Sequence, residues 1–218
     1  MISIRPPRDR DLNDDELRQV VEMAFQAPHF DGRRILFVIP DYTRSMPMVQ
    51  VFRAIYEVLA DRVETLDFMI ALGTHPPMSQ EAINKLLGVT EEEWTTRYSR
   101  ARVFNHAWDD PDALTVIGTI GEDEIETLSE GLMRQEAIVT INKRIHDYDI
   151  LCVVGPVFPH EVVGYSGGNK YFFPGIAGRE IIDLFHWLGA LISNPVINGV
   201  KYTPVRRVID RAASCIPV

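Results

Sequence analysis

Residues 34–44 read RILFVIPDYTR, a short apolar run that ends abruptly in polar residues. The apolar part, residues 34–40, predicts a buried β-strand. A helical repeat of apolar residues follows over residues 48–62, then a second strand-like run over residues 65–72 and a second helix over residues 79–88. Alternation of strands and helices is typical of parallel sheets. We therefore predict an α/β fold with a mostly parallel, Rossmann-like sheet and flanking helices.

The rest of the 218-residue chain adds elements of both kinds. Apolar runs predict strands over residues 101–105, 113–120, 136–142 and 148–157, and the last of these is the strongest candidate for a buried strand. Apolar positions repeating at helical spacing predict helices over residues 13–27, 91–98, 179–192 and 203–213. No internal repeat or low-complexity linker divides the sequence, so we treat residues 1–218 as one domain.

Composition excludes several classes of protein. Hydrophobic residues make up 46% of the chain, as in ordinary globular domains. The formal net charge is -9 and no block of lysine and arginine occurs, which argues against nucleic acid and anionic membranes as partners. The two cysteines, Cys152 and Cys215, form no metal-binding or disulfide pattern. With no apolar run of membrane-spanning length and no signal-peptide pattern, we expect a cytoplasmic protein.

Polar residues follow four of the predicted strands. In an open parallel sheet, ligands bind outside the carboxyl ends of the strands, so we expect these residues to share one rim. They are Asp41, Thr43 and Arg44 after the first strand, His75 after the second, His106 after the third, and His160 and Lys170 after the strand at 148–157.

Each of these residues also has a purely structural interpretation. Asp41 and Thr43 could cap the next helix, His75 could belong to a turn before Pro76 and Pro77, and His106 could lie in an ordinary loop. His186, within a predicted helix, could be a core histidine. Lys170 lies in GYSGGNK, which lacks the glycine spacing of a phosphate-binding P-loop.

Four stretches together resemble a known family. They are DYTRSMP (41–47), NHAWDD (105–110), PHEVVGYSGGNKYFFPGIAG (159–178) and FHWLGA (185–190). The chain resembles the amino-terminal domain of the nickel-dependent lactate racemase family. The resemblance implies a catalytic, cofactor-binding domain over residues 1–218, and it implies that the second domain of the family is absent from this chain. The implied cofactor is a nickel-pincer nucleotide, a pyridinium nucleotide whose two thiocarboxyl arms help to hold nickel.

The resemblance also implies roles for individual residues. Lys170 corresponds to the covalent anchor of the cofactor, and His186 to the ligand of nickel. His106 and His160 correspond to the acid–base pair. Separately from the resemblance, Asp183 lies one helical turn before His186, and we expect it to orient that imidazole. The remaining residues expected to contact the cofactor are Asp41, Thr43, Arg44, Gly167 and Gly168.

The expected reaction is racemisation or epimerisation of a small 2-hydroxy acid, such as lactate, by hydride transfer through a keto-acid intermediate. Two histidines that titrate near neutrality suit the accompanying proton exchange. Two alternatives remain open at this point. One is a zinc hydrolase that uses His106, His160 and His186, and the other is a non-catalytic nucleotide-binding module.

Overall fold

The structure is a computed structural model that describes residues 4–217, and within them eight β-strands form three sheets. The strands are β1 (Arg34–Ile39), β2 (Thr65–Ile70), β3 (Ala101–Asn105), β4 (Leu114–Ile120), β5 (Ala137–Asn142), β6 (Ile150–Val153), β7 (Pro159–His160) and β8 (Gly164–Tyr165). The central sheet has four parallel strands in the order β3-β2-β1-β6. Its sequence neighbours β1 and β2 pair along their whole length, whereas β6 returns from far along the chain to pair with β1.

Helices pack around this sheet. They are α1 (Asp14–Ala24), α2 (Met48–Leu59), α3 (Gln80–Leu87), α4 (Glu91–Thr95), α5 (Glu122–Leu128), α6 (Arg179–Ile192), α7 (Asn194–Ile197) and α8 (Pro204–Ala213). The predicted α/β class with flanking helices is confirmed. Within residues 4–217, no helix combines the length and the apolar character needed to cross a membrane.

Local sequence explains where several helices begin and end. The Asn13 side chain accepts a hydrogen bond from the backbone of Glu16, whose carboxylate bonds back to Asn13, so a capping box starts α1. Ser79 caps α3 in a similar way, and Gly88 ends that helix in the left-handed conformation. These three cap residues fix the helices at the boundaries that the sequence indicates.

The structure corrects the prediction for three strands. The runs at 113–120 and 136–142 are strands, but β4 and β5 pair with each other in a separate antiparallel sheet. The run at 148–157 gives only β6, a half-buried edge strand that pairs with β1 alone. Apolar composition indicates a strand but does not specify which strand it pairs with, and this explains the difference between the predicted and observed sheets.

Two hydrophobic clusters cover the two faces of the central sheet. Side chains alternate along β1, so Ile35, Phe37 and Ile39 enter one cluster while Leu36 and Val38 enter the other. The first cluster contains α2 and α3, and we call it the amino-terminal cluster. The second contains β5, α6 and α8, and we call it the carboxyl-terminal cluster. Because both faces are covered, the loops at the carboxyl edge provide the open surface of the sheet.

Candidate functional site

A cavity of about 210 Å³ lies at the carboxyl edge of the central sheet. The loops after β1 and β2 form one wall, and the segment from β7 to the first turns of α6 forms the other. The strand order places β1 between β2 and β6, so the chain leaves the sheet in different directions on either side of β1. Ligand sites of open α/β sheets occur at such a point.

Asp41 anchors the first wall. Its buried carboxylate accepts hydrogen bonds from the backbone N–H of Thr43 at 3.0 Å and from the Thr43 hydroxyl at 2.5 Å. Burial alone would raise the pKa of Asp41, but the bonds from Thr43 and His75 outweigh it and lower that pKa. The carboxylate is therefore charged at neutral pH. It does not cap α2, which begins after Pro47 without a side-chain cap.

His75 is the partner of this carboxylate on the next loop. The Nδ1 atom of His75 lies 2.5 Å from Oδ2 of Asp41, and the imidazole is 46% exposed. Since an ionised carboxylate can only accept, Nδ1 carries the proton and donates it. The Nε2 atom of neutral His75 then keeps its lone pair. A carboxylate that fixes the tautomer in this way prepares an imidazole to act as a base.

The second wall is built by the glycine-rich segment, residues 164–170. Gly164 and Gly167 have φ of 89° and 84°, which favours glycine. A Cβ at Gly164 would collide with the carbonyl oxygen of Val200, and one at Gly167 would collide with the side chain of Val157. After them, a 3-10 turn over Gly168–Tyr171 places Lys170 at the cavity.

Lys170 has an unusual electrostatic environment. Burial of its ammonium group, and then the positive charge of Arg44, lower the pKa of Lys170 to about 8. Glu161 and Asp41 act in the opposite direction but only partly offset these effects. A substantial fraction of this amine is neutral near pH 8, whereas an ordinary lysine is almost fully protonated. The amine is thus a competent nucleophile.

His160 lies beside Lys170, with only 12% of its side chain exposed. Its Nδ1 accepts a hydrogen bond from the Val162 backbone at 3.1 Å, so the proton of the neutral ring is on Nε2. Burial, and then the charge of Lys170, lower the pKa of His160 to about 4. His160 is therefore neutral at physiological pH and presents an N–H donor.

His186 reaches the same cavity from α6. Its Nδ1 lies 2.9 Å from the carbonyl oxygen of Ile182, one turn earlier, and donates to it. Asp183, the partner considered from the sequence, does not make this bond. Because the backbone fixes the tautomer, Nε2 of His186 has a free lone pair, which is the usual state of a metal-binding histidine.

His106 does not line the cavity, contrary to the expectation of a shared rim. It is 1% exposed, its Nε2 donates to the Ala177 carbonyl at 2.8 Å, and its Nδ1 lies 3.2 Å from Nδ2 of Asn142. Burial lowers the pKa of His106 to about 4. The backbone N–H of His106 bonds to Ile70, which continues the ladder beyond β3, and its side chain bonds to the chain at β5. The loop after β3 thus directs His106 into the protein.

The structure brings together Asp41, Arg44, His160, Gly167, Lys170 and His186 around one cavity. Thr43 contributes through Asp41, while Gly168 is exposed and does not line the cavity. His75 lines it as well, although the sequence left its role open. The sequence pattern indicates this position, since His75 follows β2 just as Asp41 follows β1. Within residues 4–217, no three histidine, cysteine, aspartate or glutamate side chains form a metal site.

Comparison with known proteins identifies relatives of this chain. The family model of the lactate racemase N-terminal domain matches residues 15–197. The lactate racemase of Thermoanaerobacterium thermosaccharolyticum is 25% identical over 189 residues, which are 83% of this chain and 39% of that protein.

Two solved structures share the fold. A protein of Thermotoga maritima is 29% identical with a TM-score of 0.84, over 94% of this chain and 48% of that one. The apoprotein of the T. thermosaccharolyticum lactate racemase has a TM-score of 0.66 at 22% identity, over 96% of this chain and 51% of that one. The chain thus spans about half the length of these relatives. The match over residues 15–197 shows that it belongs to the family of lactate racemase N-terminal domains.

Proposed function

We propose that this chain is the cofactor-binding part of a racemase or epimerase of small 2-hydroxy acids, and that its cofactor is a nickel-pincer nucleotide. The observation that carries the proposal is the meeting of a reactive amine, Lys170, and a free imidazole nitrogen, Nε2 of His186, at one cavity. A covalent anchor and a metal ligand need these two chemical groups.

The residues present fit such a group. The lowered pKa of Lys170 makes its amine available for covalent attachment. Imidazole is a suitable ligand of nickel, and one histidine suffices if the organic group supplies the other donors. Gly167 leaves the cavity wall without a side chain next to Lys170. Arg44 provides a guanidinium for a phosphate or a carboxylate.

We propose His75 as the acid–base residue and His160 as a hydrogen-bond donor to the substrate, and this changes the pair expected from the sequence. When bound, the cofactor would supply a hydride acceptor and donor for the α-hydrogen of the substrate. Nε2 of His75 is a free acceptor for the hydroxyl proton, and Asp41 stabilises the imidazolium that results. The same imidazolium returns this proton to the oxygen when the keto acid is reduced from its other face. The Nε2–H of His160 donates a hydrogen bond from the other wall.

The substrate carboxylate is placed by charge. Arg44 and Lys170 are cations at the cavity, and Arg44 remains available when the amine of Lys170 is used as an anchor. His160 and Lys170 are both largely buried, so bulk water has little access to the inner end of the cavity. Exclusion of water would protect a keto-acid intermediate while it turns between its two orientations.

The test is the mass of the protein produced together with the enzymes that make the cofactor. Wild-type protein should carry an added mass on the peptide that contains Lys170, together with bound nickel. Lys170→Arg should lose the adduct, because arginine keeps the charge but has no equivalent amine. Lys85→Arg, at an exposed position on α3, is the matched control and should keep the adduct.

Histidine variants separate the roles in the same material. His186→Ala should lower the nickel content, whereas His75→Asn and His160→Asn should keep nickel and lose interconversion of the two lactate enantiomers, measured by chiral chromatography. An adduct on Lys170→Arg, or unchanged nickel in His186→Ala, would contradict the proposal.

The alternatives predict other results. A zinc hydrolase at His106, His160 and His186 would contain zinc and no lysine adduct, and the inward position of His106 disfavours it. A non-catalytic nucleotide-binding module would hold a nucleotide without an adduct and without racemisation.

A further inference from the structure

Arg206, on α8, contacts the glycine-rich segment from outside the cavity wall that we have described. Its Nη2 donates a hydrogen bond to the carbonyl oxygen of Tyr165, and its Nη1 lies 3.4 Å from the carbonyl oxygen of Gly167. The side chain is half-buried, and this burial lowers the pKa of Arg206. A guanidinium that gives up hydration for two backbone carbonyls fixes both of them, because its planar donors have a rigid geometry.

The contact leads directly to Lys170. The Gly167 carbonyl that faces Arg206 also accepts the backbone N–H of Lys170 at 3.3 Å. Arg206 and Lys170 therefore share one backbone acceptor, the Gly167 carbonyl, at which the 3-10 turn begins.

A second contact holds the same turn to α8. Nδ2 of Asn169 donates to Oδ1 of Asp210 at 3.0 Å. In addition, Thr203 caps α8 by accepting from the Arg206 backbone N–H at 3.0 Å, and its hydroxyl approaches the Val163 carbonyl at 3.4 Å. The start of α8 is thus tied to the chain on both sides of Gly164.

The neighbouring residue shows that these contacts are particular to Arg206. Arg207 is exposed and forms an ion pair with Glu130 at 2.6 Å. It makes no hydrogen bond to the glycine-rich segment among the contacts of residues 4–217. Both residues lie beyond residue 197, where the match to the family model ends.

We propose that Arg206 is a positioning residue of this site, which holds the carbonyls of Tyr165 and Gly167 and thereby sets the place of Lys170 in the cavity. The proposal concerns the amine of Lys170 itself, so it does not depend on which group that amine carries. If Arg206 no longer holds the turn, the amine gains access to water and titrates closer to an ordinary lysine.

Several titratable groups and one arginine face Lys170 and must stay in place during the test. Arg44 and Asp41 come from the loop after β1, His160 and Glu161 from β7 and the following turn, and His186 from α6. Arg206 itself contributes a positive charge from α8, which lowers the pKa of Lys170 a little further. A useful experiment must therefore separate the charge of Arg206 from its hydrogen bonds.

The experiment is the pH profile of acetylation of Lys170 by N-hydroxysuccinimidyl acetate in the 218-residue protein, followed by peptide mass spectrometry. Wild-type Lys170 should react with a midpoint near pH 8. In Arg206→Met and in Arg206→Lys we expect the midpoint to rise by about one pH unit, which lowers the neutral fraction at pH 8 about fivefold. Arg206→Lys keeps the charge but cannot hold two carbonyls with one planar group.

Arg207→Met is the control and should leave the midpoint of Lys170 unchanged. An unchanged midpoint in both Arg206 variants would overturn the proposal. It would also be overturned if the midpoint of Arg206→Lys equalled that of wild type while the midpoint of Arg206→Met rose, since charge alone would then explain the effect. An equal rise of the midpoint in Arg207→Met would overturn it as well. Should Arg206→Met not fold, the Arg206→Lys profile decides by itself.

Discussion

Replacing Lys170 by methionine should stabilise the protein in the absence of any ligand. Burial and the charge of Arg44 lower the pKa of Lys170 from 10.5 to about 8. Each pH unit corresponds to about 1.4 kcal/mol, so the buried ammonium costs about 3 kcal/mol of unfolding free energy. Methionine fills similar space without a charge. We therefore expect Lys170→Met to raise the free energy of unfolding at pH 7 by up to about 3 kcal/mol.

The pH dependence of this gain gives the sharper test. Below pH 8 the lysine is protonated in both the folded and the unfolded protein, so the full cost is present. Between pH 8 and 10.5 the folded protein releases its proton first, and the cost disappears as the pH rises. The advantage of Lys170→Met should therefore be large at pH 7 and small at pH 10.

Urea unfolding followed by circular dichroism at the two pH values measures both quantities. Lys85→Met, at an exposed site, should change the unfolding free energy by less than about 0.5 kcal/mol at either pH. A Lys170→Met protein that is no more stable than wild type at pH 7, or whose advantage is the same at pH 10, would refute the reasoning about the buried ammonium.

Three further predictions concern the surroundings of the site. The free energy of unfolding should fall as the pH drops from 6.5 to 4, because His106 and His160 are neutral when folded and gain protons when unfolded. His160→Asn should reduce the slope of this fall in urea titrations, and an unaltered slope would contradict the prediction. His106→Ala should lower the unfolding free energy by about 1–3 kcal/mol, because the Ala177 carbonyl loses its hydrogen-bond partner. The control His146→Ala, at an exposed position, should change the unfolding free energy little. Equal melting temperatures for the two variants would refute this prediction. Gly164→Ala should destabilise more than Gly131→Ala, since both have positive φ but only the first Cβ meets a backbone carbonyl; equal losses in thermal unfolding would argue against that collision.

The sequence predicts the central sheet well because β1 and β2 are short apolar runs joined by a helix of regular period. The same reasoning locates Asp41, Arg44, His160 and Lys170 at one edge, since the carboxyl ends of parallel strands lie together. It does not predict which strands β4 and β5 pair with, because the residues of a half-buried strand do not specify the neighbouring strand.

His106 and His75 show where the reasoning from sequence reaches its limit. Both follow a strand of the same sheet, His106 directly and His75 after a short turn. The side chain of His106 turns into the core because the backbone continues to bond to Ile70, while His75 lies free to meet Asp41. That difference depends on the local course of the backbone, which the order of residue types does not specify. Arg206 is similar, because its contact with Gly167 joins residues 39 positions apart.

The division of the core into two clusters has a consequence for the growing chain. The amino-terminal cluster draws nearly all its residues from positions 21–103, so this part of the chain can begin to collapse soon after it leaves the ribosome. The opposite face of the sheet, which carries Leu36, Val38 and Met69, then stays exposed until β5, α6 and α8 have been synthesised. Asp41 and His75 belong to the half made early, and Lys170 and His186 to the half made late. Their cavity is therefore completed only after the ribosome has added the residues up to His186.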